Sequence, residues 1–166
     1  MPKTTRLGWV AYALAGVVIA ADQASKAWIL GPFDLADRGP VEVLPMLRLT
    51  MVWNRGVSFG LLNGHGDLGR WALVAFEIAV AVALAIWARR NERTVLALSL
   101  GLVMGGALGN AIDRTRFGAV ADFIDVTALH FPWVFNLADS AINVGVALLL
   151  WDSLTASKPP DAPRRA

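Results

Sequence analysis

The chain contains no cysteine. Disulfides, thiolate metal sites, a cysteine nucleophile and lipoprotein modification of the chain itself are therefore excluded. Only two histidines occur, His65 and His130, too few for a histidine-rich metal site. Charge is scarce as well: Asp, Glu, Lys and Arg make up 17% of the 166 residues, where soluble domains average about 25%. No serine stands in a nucleophile-elbow or serine-plus-base motif, and there is no HExxH sequence or phosphate-binding glycine loop. What the chain has in excess is apolar surface. Residues AVILMFWYC account for 56% and the mean hydropathy is +0.53. Counting the 15 Gly, about 65% of the chain is apolar, against roughly 45–50% for soluble domains. This excludes a disordered chain and an ordinary soluble domain, and fits an integral membrane protein of about one domain's length. The net charge of +2 and pI near 9.5 then read as basic residues flanking membrane spans rather than as a nucleic-acid surface.

A membrane helix needs about 20 mostly apolar residues. Four segments qualify: 7–30, 71–88, 95–112 and 133–151. Trp71, Trp87, Trp133 and Trp151 stand at span ends, where amphipathic rings favour the membrane interface. The first segment follows Lys3 and Arg6 like a signal peptide, but three further spans make it a retained anchor. Lys3 and Arg6, then Arg89, Arg90 and Arg93, then Lys158, Arg164 and Arg165 fall on one side of a four-span protein. That side is expected to be the cytoplasm, with both termini inside. The other side carries six arginines, spread over two longer loops, 31–70 and 113–132. Residues 41–53 read as one or two short strands interrupted at Pro45, and 119–126 as another, so strand pairing between the loops is expected. Residues 1–157 form a single membrane domain, and 158–166 are read as a disordered cytoplasmic tail.

The polar residues collect at one face of this frame. Asp22 lies about eight residues below the outer end of the first span and Asp139 six below the outer end of the fourth, roughly 9–12 Å at 1.5 Å per residue. Asn110 and Asn136 lie near the outer ends of the third and fourth spans, and Asp113, Arg114 and Asp122 in the loop just outside. Ionisable groups within a span are costly and mark function. Asn136, Asp139 and Asn143 are spaced i, i+3, i+7 and read as one helical face, with Asn143 taken as interhelical hydrogen-bonding glue. Gly101, Gly105 and Gly109, with Gly106 beside them, form a small-residue ridge for close helix packing. Asp22 and Lys26 are spaced for an i, i+4 ion pair. Glu77 has no evident role beyond pairing with an arginine or a polar neighbour.

Carboxylates beside one face are the remaining reactive groups. Two that lie close share a proton, so that one serves as base and the other as acid. Such a pair activates water and protonates a leaving amine without metal or cofactor. Spacing alone does not say which aspartates meet.

Five motifs occur in order from about residue 9 to 140: Asp22-Gln23-Ala24-Ser25-Lys26; Asn54-Arg55-Gly56-Val57-Ser58-Phe59; Gly105-Gly106-Ala107-Leu108-Gly109-Asn110-Ala111-Ile112-Asp113-Arg114; Val120-Ala121-Asp122-Phe123; and Phe135-Asn136-Leu137-Ala138-Asp139-Ser140. Together they resemble the bacterial lipoprotein signal peptidases (type II signal peptidases, aspartic peptidases). The resemblance implies a catalytic dyad of Asp122 and Asp139. It implies substrate-binding or dyad-supporting roles for Asn54, Gly56, Asn110, Arg114 and Asn136. Asp22, Lys26, Gly105, Gly109 and Asp113 would be structural motif residues. The implied fold is a mainly α membrane protein, with four transmembrane helices and a small extracytoplasmic β-rich cradle. The implied reaction cuts diacylglyceryl-modified prolipoproteins just before the lipidated cysteine. No metal, cofactor or nucleic acid is implied; the partners are the prolipoproteins and membrane lipids, with a monomer carrying a whole site. The setting would be the bacterial inner membrane, with the site towards the extracytoplasmic face. Two other readings compete. A small proton-coupled exporter would use Glu77 as its carrier. An assembly module would rest on the glycine ridge and leave Asp122 and Asp139 unexplained.

Overall fold

In a computed structural model the described residues are 3–56, 66–129 and 133–155. His65, His130, residues 57–59 of the second motif and the tail at 158–166 lie outside them. The elements run α1 (Arg6–Leu30), α2 (Leu35–Arg38), β1 (Val41–Leu44), β2 (Leu47–Asn54), α3 (Gly66–Ala88), α4 (Thr94–Phe117), β3 (Val120–Asp125), a single 3-10 turn (Thr127–Leu129), β4 (Val134–Phe135) and α5 (Leu137–Thr155). The helices α1, α3, α4 and α5 are long and apolar enough to cross a membrane.

The expected span ends shift in two places that matter. The third span was expected to end at 112, yet α4 continues to Phe117. No helix breaker intervenes before Gly118, whose φ of 77° ends the helix while its N–H reaches the Arg114 carbonyl. Arg114 and Arg116 in the last turn also suit the negative end of the helix dipole. Asp113 and Arg114 are therefore helical, not loop residues. The fourth span was expected from 133, yet α5 begins at Leu137. Asn136 Oδ1 accepts the Asp139 N–H at 2.9 Å, and the Asp139 carboxylate accepts the Asn136 N–H at 3.3 Å. This reciprocal capping box starts the helix. Asn136 is a cap, not a member of one helical face with Asp139 and Asn143.

Helix α4 is the hub of the bundle. Its apolar stretch is mostly buried, whereas those of α1, α3 and α5 are mostly outward-facing. Close approach is possible because Cβ atoms are missing where helices touch. A Cβ on Gly101 would lie 2.7 Å from the Ala11 carbonyl oxygen, and one on Gly105 would lie 2.6 Å from Val18 Cβ. Gly106 faces α5 in the same way, and Gly145 of α5 answers it against Val103. At the other end, Thr5 caps α1 through the Gly8 N–H and ties it to the α3–α4 link through the Asn91 carbonyl.

The strands form one antiparallel sheet in the order β1-β2-β3-β4. Residues 41–53 do hold two strands that turn at Pro45, and β3 pairs with β2 across the loops (Val52 with Asp122, Asn54 with Val120). The short β4 and α2 were not anticipated. The sheet is seated on the end of α1 by a small apolar cluster, Ile29, Leu35 and Phe123, with Phe33, Leu49 and Met51 packed around it. Burial of these side chains is what holds β3, and hence Asp122, over the bundle.

Candidate active site

Two carboxylates converge where the sheet meets the bundle. Asp139 is the third residue of α5, half-buried, and its carboxylate also accepts from Asn110 Nδ2 of α4 at 2.8 Å. Asp122 of β3 is only 1% exposed. It accepts from Asn54 Nδ2 of β2 at 3.0 Å and from Asn136 Nδ2 at 2.7 Å. Asn136 is fully buried and bridges the pair: its amide donates to Asp122 and to Asn110 Oδ1, while its main chain and oxygen engage Asp139. Asn54 is steadied in turn by the Gly56 N–H at 2.9 Å, with Gly56 at φ 103°. Asp122 and Asp139 open on one cavity of about 480 Å³, lined also by Asn54, Trp133, Phe135, Ile142 and Asn143. A groove between α1, α3 and α4, lined by Ile19, Ile78, Leu108 and Ile112, is apolar and holds no carboxylate.

Burial pushes Asp122 up from 3.8 to about 6, and the Asp139 charge adds to the rise, while the amides of Asn54 and Asn136 oppose it. On the same strand, Asp125 goes the other way. Burial alone would raise it, but hydrogen bonds from Thr127, Arg48 and Thr50 prevail and hold it well below the usual carboxylate range.

A second polar cluster lies behind the first. Lys26 Nζ, 2% exposed, is 2.8 Å from Asp22 and 2.7 Å from Asp113, both fully buried. Asp22 Oδ1 accepts the Ala138 N–H at 3.0 Å, and Asp113 Oδ2 accepts the Ala121 N–H at 3.1 Å. Each carboxylate thus holds the residue immediately before one of the two site aspartates. The anticipated i, i+4 pair is part of a three-residue tie between α5 and β3. The contact with Ala138 also sets Asp139 level with Asp22, which lies eight residues inside the end of α1, about 12 Å. Asp139 therefore lies deep in the bundle although it stands in the first turn of its own helix.

Arg114 is placed elsewhere than expected. It does not line the cavity; its guanidinium pairs with Glu77 of α3. Glu77 thereby has its arginine. Gly109 serves by its lack of a side chain, since a Cβ there would come 2.7 Å from Asp22 Oδ2. The sequence reading missed Gln23, which donates to Asp113 at 2.9 Å and accepts from Arg116. Its signal was a polar side chain inside a span, beside Asp22. It also read Asn143 as glue, but no hydrogen bond joins that side chain to another helix among the described residues.

Residues 14–155 match the family described as signal peptidase (SPase) II. The chain is similar to the lipoprotein signal peptidase of Caulobacter vibrioides, 54% identical over 158 residues that cover 93% of this chain and 92% of the relative. It is also similar to that of Methylorubrum extorquens, 49% identical over 146 residues, covering 87% and 84%. Two solved bacterial membrane enzymes, determined by the in meso method, share its fold. One has TM-score 0.76 at 30% identity, covering 95% of this chain and 99% of the other. The second has TM-score 0.73 at 29% identity, covering 98% and 99%. These likenesses, over nearly the whole length and on the same four-helix frame, place the chain in the signal peptidase II family, as a multi-pass membrane protease.

Proposed function

We propose that the chain is an intramembrane aspartic endopeptidase that removes the signal peptide from diacylglyceryl-modified prolipoproteins, cutting just before the lipidated cysteine. The observation that carries this is the convergence of Asp122 and Asp139 on one cavity, bridged by Asn136, with burial favouring the proton on Asp122. The Asp139 carboxylate takes a proton from water, and the water oxygen attacks the scissile carbonyl carbon. Protonated Asp122 gives its proton to the carbonyl oxygen, forming a gem-diol. Asp139 then hands its proton to the leaving nitrogen while Asp122 recovers one from the gem-diol, the C–N bond breaks, and the dyad returns to its starting state. Asn54, Asn110 and Asn136 hold the two carboxylates in register, and Asn54 is also a polar wall of the cavity, where the apolar slab offers none. No cofactor takes part.

The basic residues of the α3–α4 link, Arg89, Arg90 and Arg93, favour a cytoplasmic position for that end. Both termini are then cytoplasmic, the sheet is extracytoplasmic, and one chain of residues 1–157 carries a whole site. In detergent with a diacylglyceryl-modified prolipoprotein, wild type and Glu77→Gln are expected to release signal peptide, and neither Asp122→Asn nor Asp139→Asn. Full cleavage by either folded Asn variant overturns the dyad. Absence of cleavage by well-folded wild type, with substrate quality verified, returns Glu77 and the exporter reading to the centre.

A further inference from the structure

Asn143 is exposed on a membrane-spanning helix, where an amide facing lipid is disfavoured. It makes no hydrogen bond to the protein among the described residues. It lines the cavity with Asp122 and Asp139, one helical turn from Asp139 and on the same face. A carboxamide that has no partner among the described residues and opens on the reacting groups has its partner in what fills the cavity. A substrate helix cannot be cut until it unwinds, and unwinding frees main-chain N–H and C=O groups inside the apolar region. A carboxamide matches a peptide unit, because it both donates and accepts.

We infer that Asn143 is a substrate-binding residue of this peptidase, whose Oδ1 accepts the N–H of a peptide unit on the signal-peptide side of the scissile bond. This rests on the peptidase reading and orientation proposed above. The four residues from Asp139 to Asn143 rise about 6 Å, which an extended chain covers in about two residues. The peptide unit concerned is therefore about two residues before the cut.

The test uses the full chain in detergent, with two synthetic diacylglyceryl lipopeptides. One is all-amide; in the other, an ester oxygen replaces the N–H two residues before the cut. Wild type is expected to cleave the all-amide peptide with kcat/KM about tenfold above the ester peptide. Asn143→Leu and Asn143→Ala are expected to lose about tenfold on the all-amide peptide and to treat both peptides alike, with Tm unchanged because no protein partner is lost. Alanine removes the amide without adding bulk, so a matching loss in both variants is not a steric block. Wild-type kcat/KM in either variant, or amide-over-ester preference in the variants equal to that of wild type, overturns the inference. Failure of wild type to cleave either peptide overturns the peptidase reading, and this inference with it.

Discussion

Replacing Lys26 by methionine removes the one cation between two fully buried carboxylates while nearly preserving side-chain volume. In the native protein Lys26 Nζ lies 2.8 Å from Asp22 and 2.7 Å from Asp113. Without it the two acids keep, among the described residues, the Ala138 and Ala121 N–H groups and the Gln23 amide. Breaking a buried ion pair by removing one partner costs about 3–5 kcal/mol, because the charge left behind is uncompensated. The same acids anchor the residues before Asp139 and Asp122, so kcat is expected to fall with stability. Unfolding in mixed micelles by SDS titration measures the first, and signal-peptide release the second. The triple variant Asp22→Asn, Lys26→Met, Asp113→Asn carries no buried charge and keeps amide oxygens for both N–H groups. It is expected to recover most of the lost stability. A Lys26→Met protein within about 1 kcal/mol of wild type, or a triple variant no more stable than the single one, would refute the reasoning.

Three further outcomes are expected. Asp122 titrates at about 6 in the fold against 3.8 ordinarily. Its stabilising contribution is therefore full below pH 3.8 and is lost as pH rises through about 6. The loss amounts to about 2–3 kcal/mol, so the fall in unfolding free energy from pH 4 to pH 7 should be smaller by that amount in Asp122→Asn. Asn136→Ala removes both the cap of α5 and a donor to Asp122; a loss of about 1 kcal/mol from the cap and a drop in kcat of at least about tenfold are expected from unfolding and single-turnover assays. Gly105→Ala puts a methyl 2.6 Å from Val18 Cβ, whereas Gly16 has nothing within 4 Å of such a methyl. The first should destabilise by roughly 1–3 kcal/mol and Gly16→Ala should not, as the same SDS titration would show.

The four spans were legible because a helix-length apolar run is a local property: its transfer into lipid depends on composition and length, not on partners. The strands at 41–53 and 119–126 were legible from β-branched residues broken at Pro45. The boundaries were less so. Where α5 starts depends on whether Asn136 and Asp139 cap one another, and α4 can carry Asp113 buried on its way to the Gly118 stop because that carboxylate finds partners. Those partners are Lys26 of α1, Gln23 and the Ala121 N–H.

By itself the sequence determined a cysteine-free, four-span membrane chain, the aspartates and asparagines available for chemistry, and the motifs that resemble one peptidase family. Only the tertiary structure decided which of these groups meet. It joined Asp122 to Asp139 through Asn136, sent Arg114 to Glu77 rather than into the cavity, and left Asn143 beside the dyad with no hydrogen-bond partner among the described residues. The physical reason is that pairing energy falls off within a few ångströms. Contacts between groups far apart in the chain, such as Asp22 with Ala138, therefore depend on how α1, α4 and α5 pack. The glycine ridge of α4 was legible from its spacing, but which helix each glycine meets is a three-dimensional property: Gly101 and Gly105 face α1, whereas Gly106 faces α5.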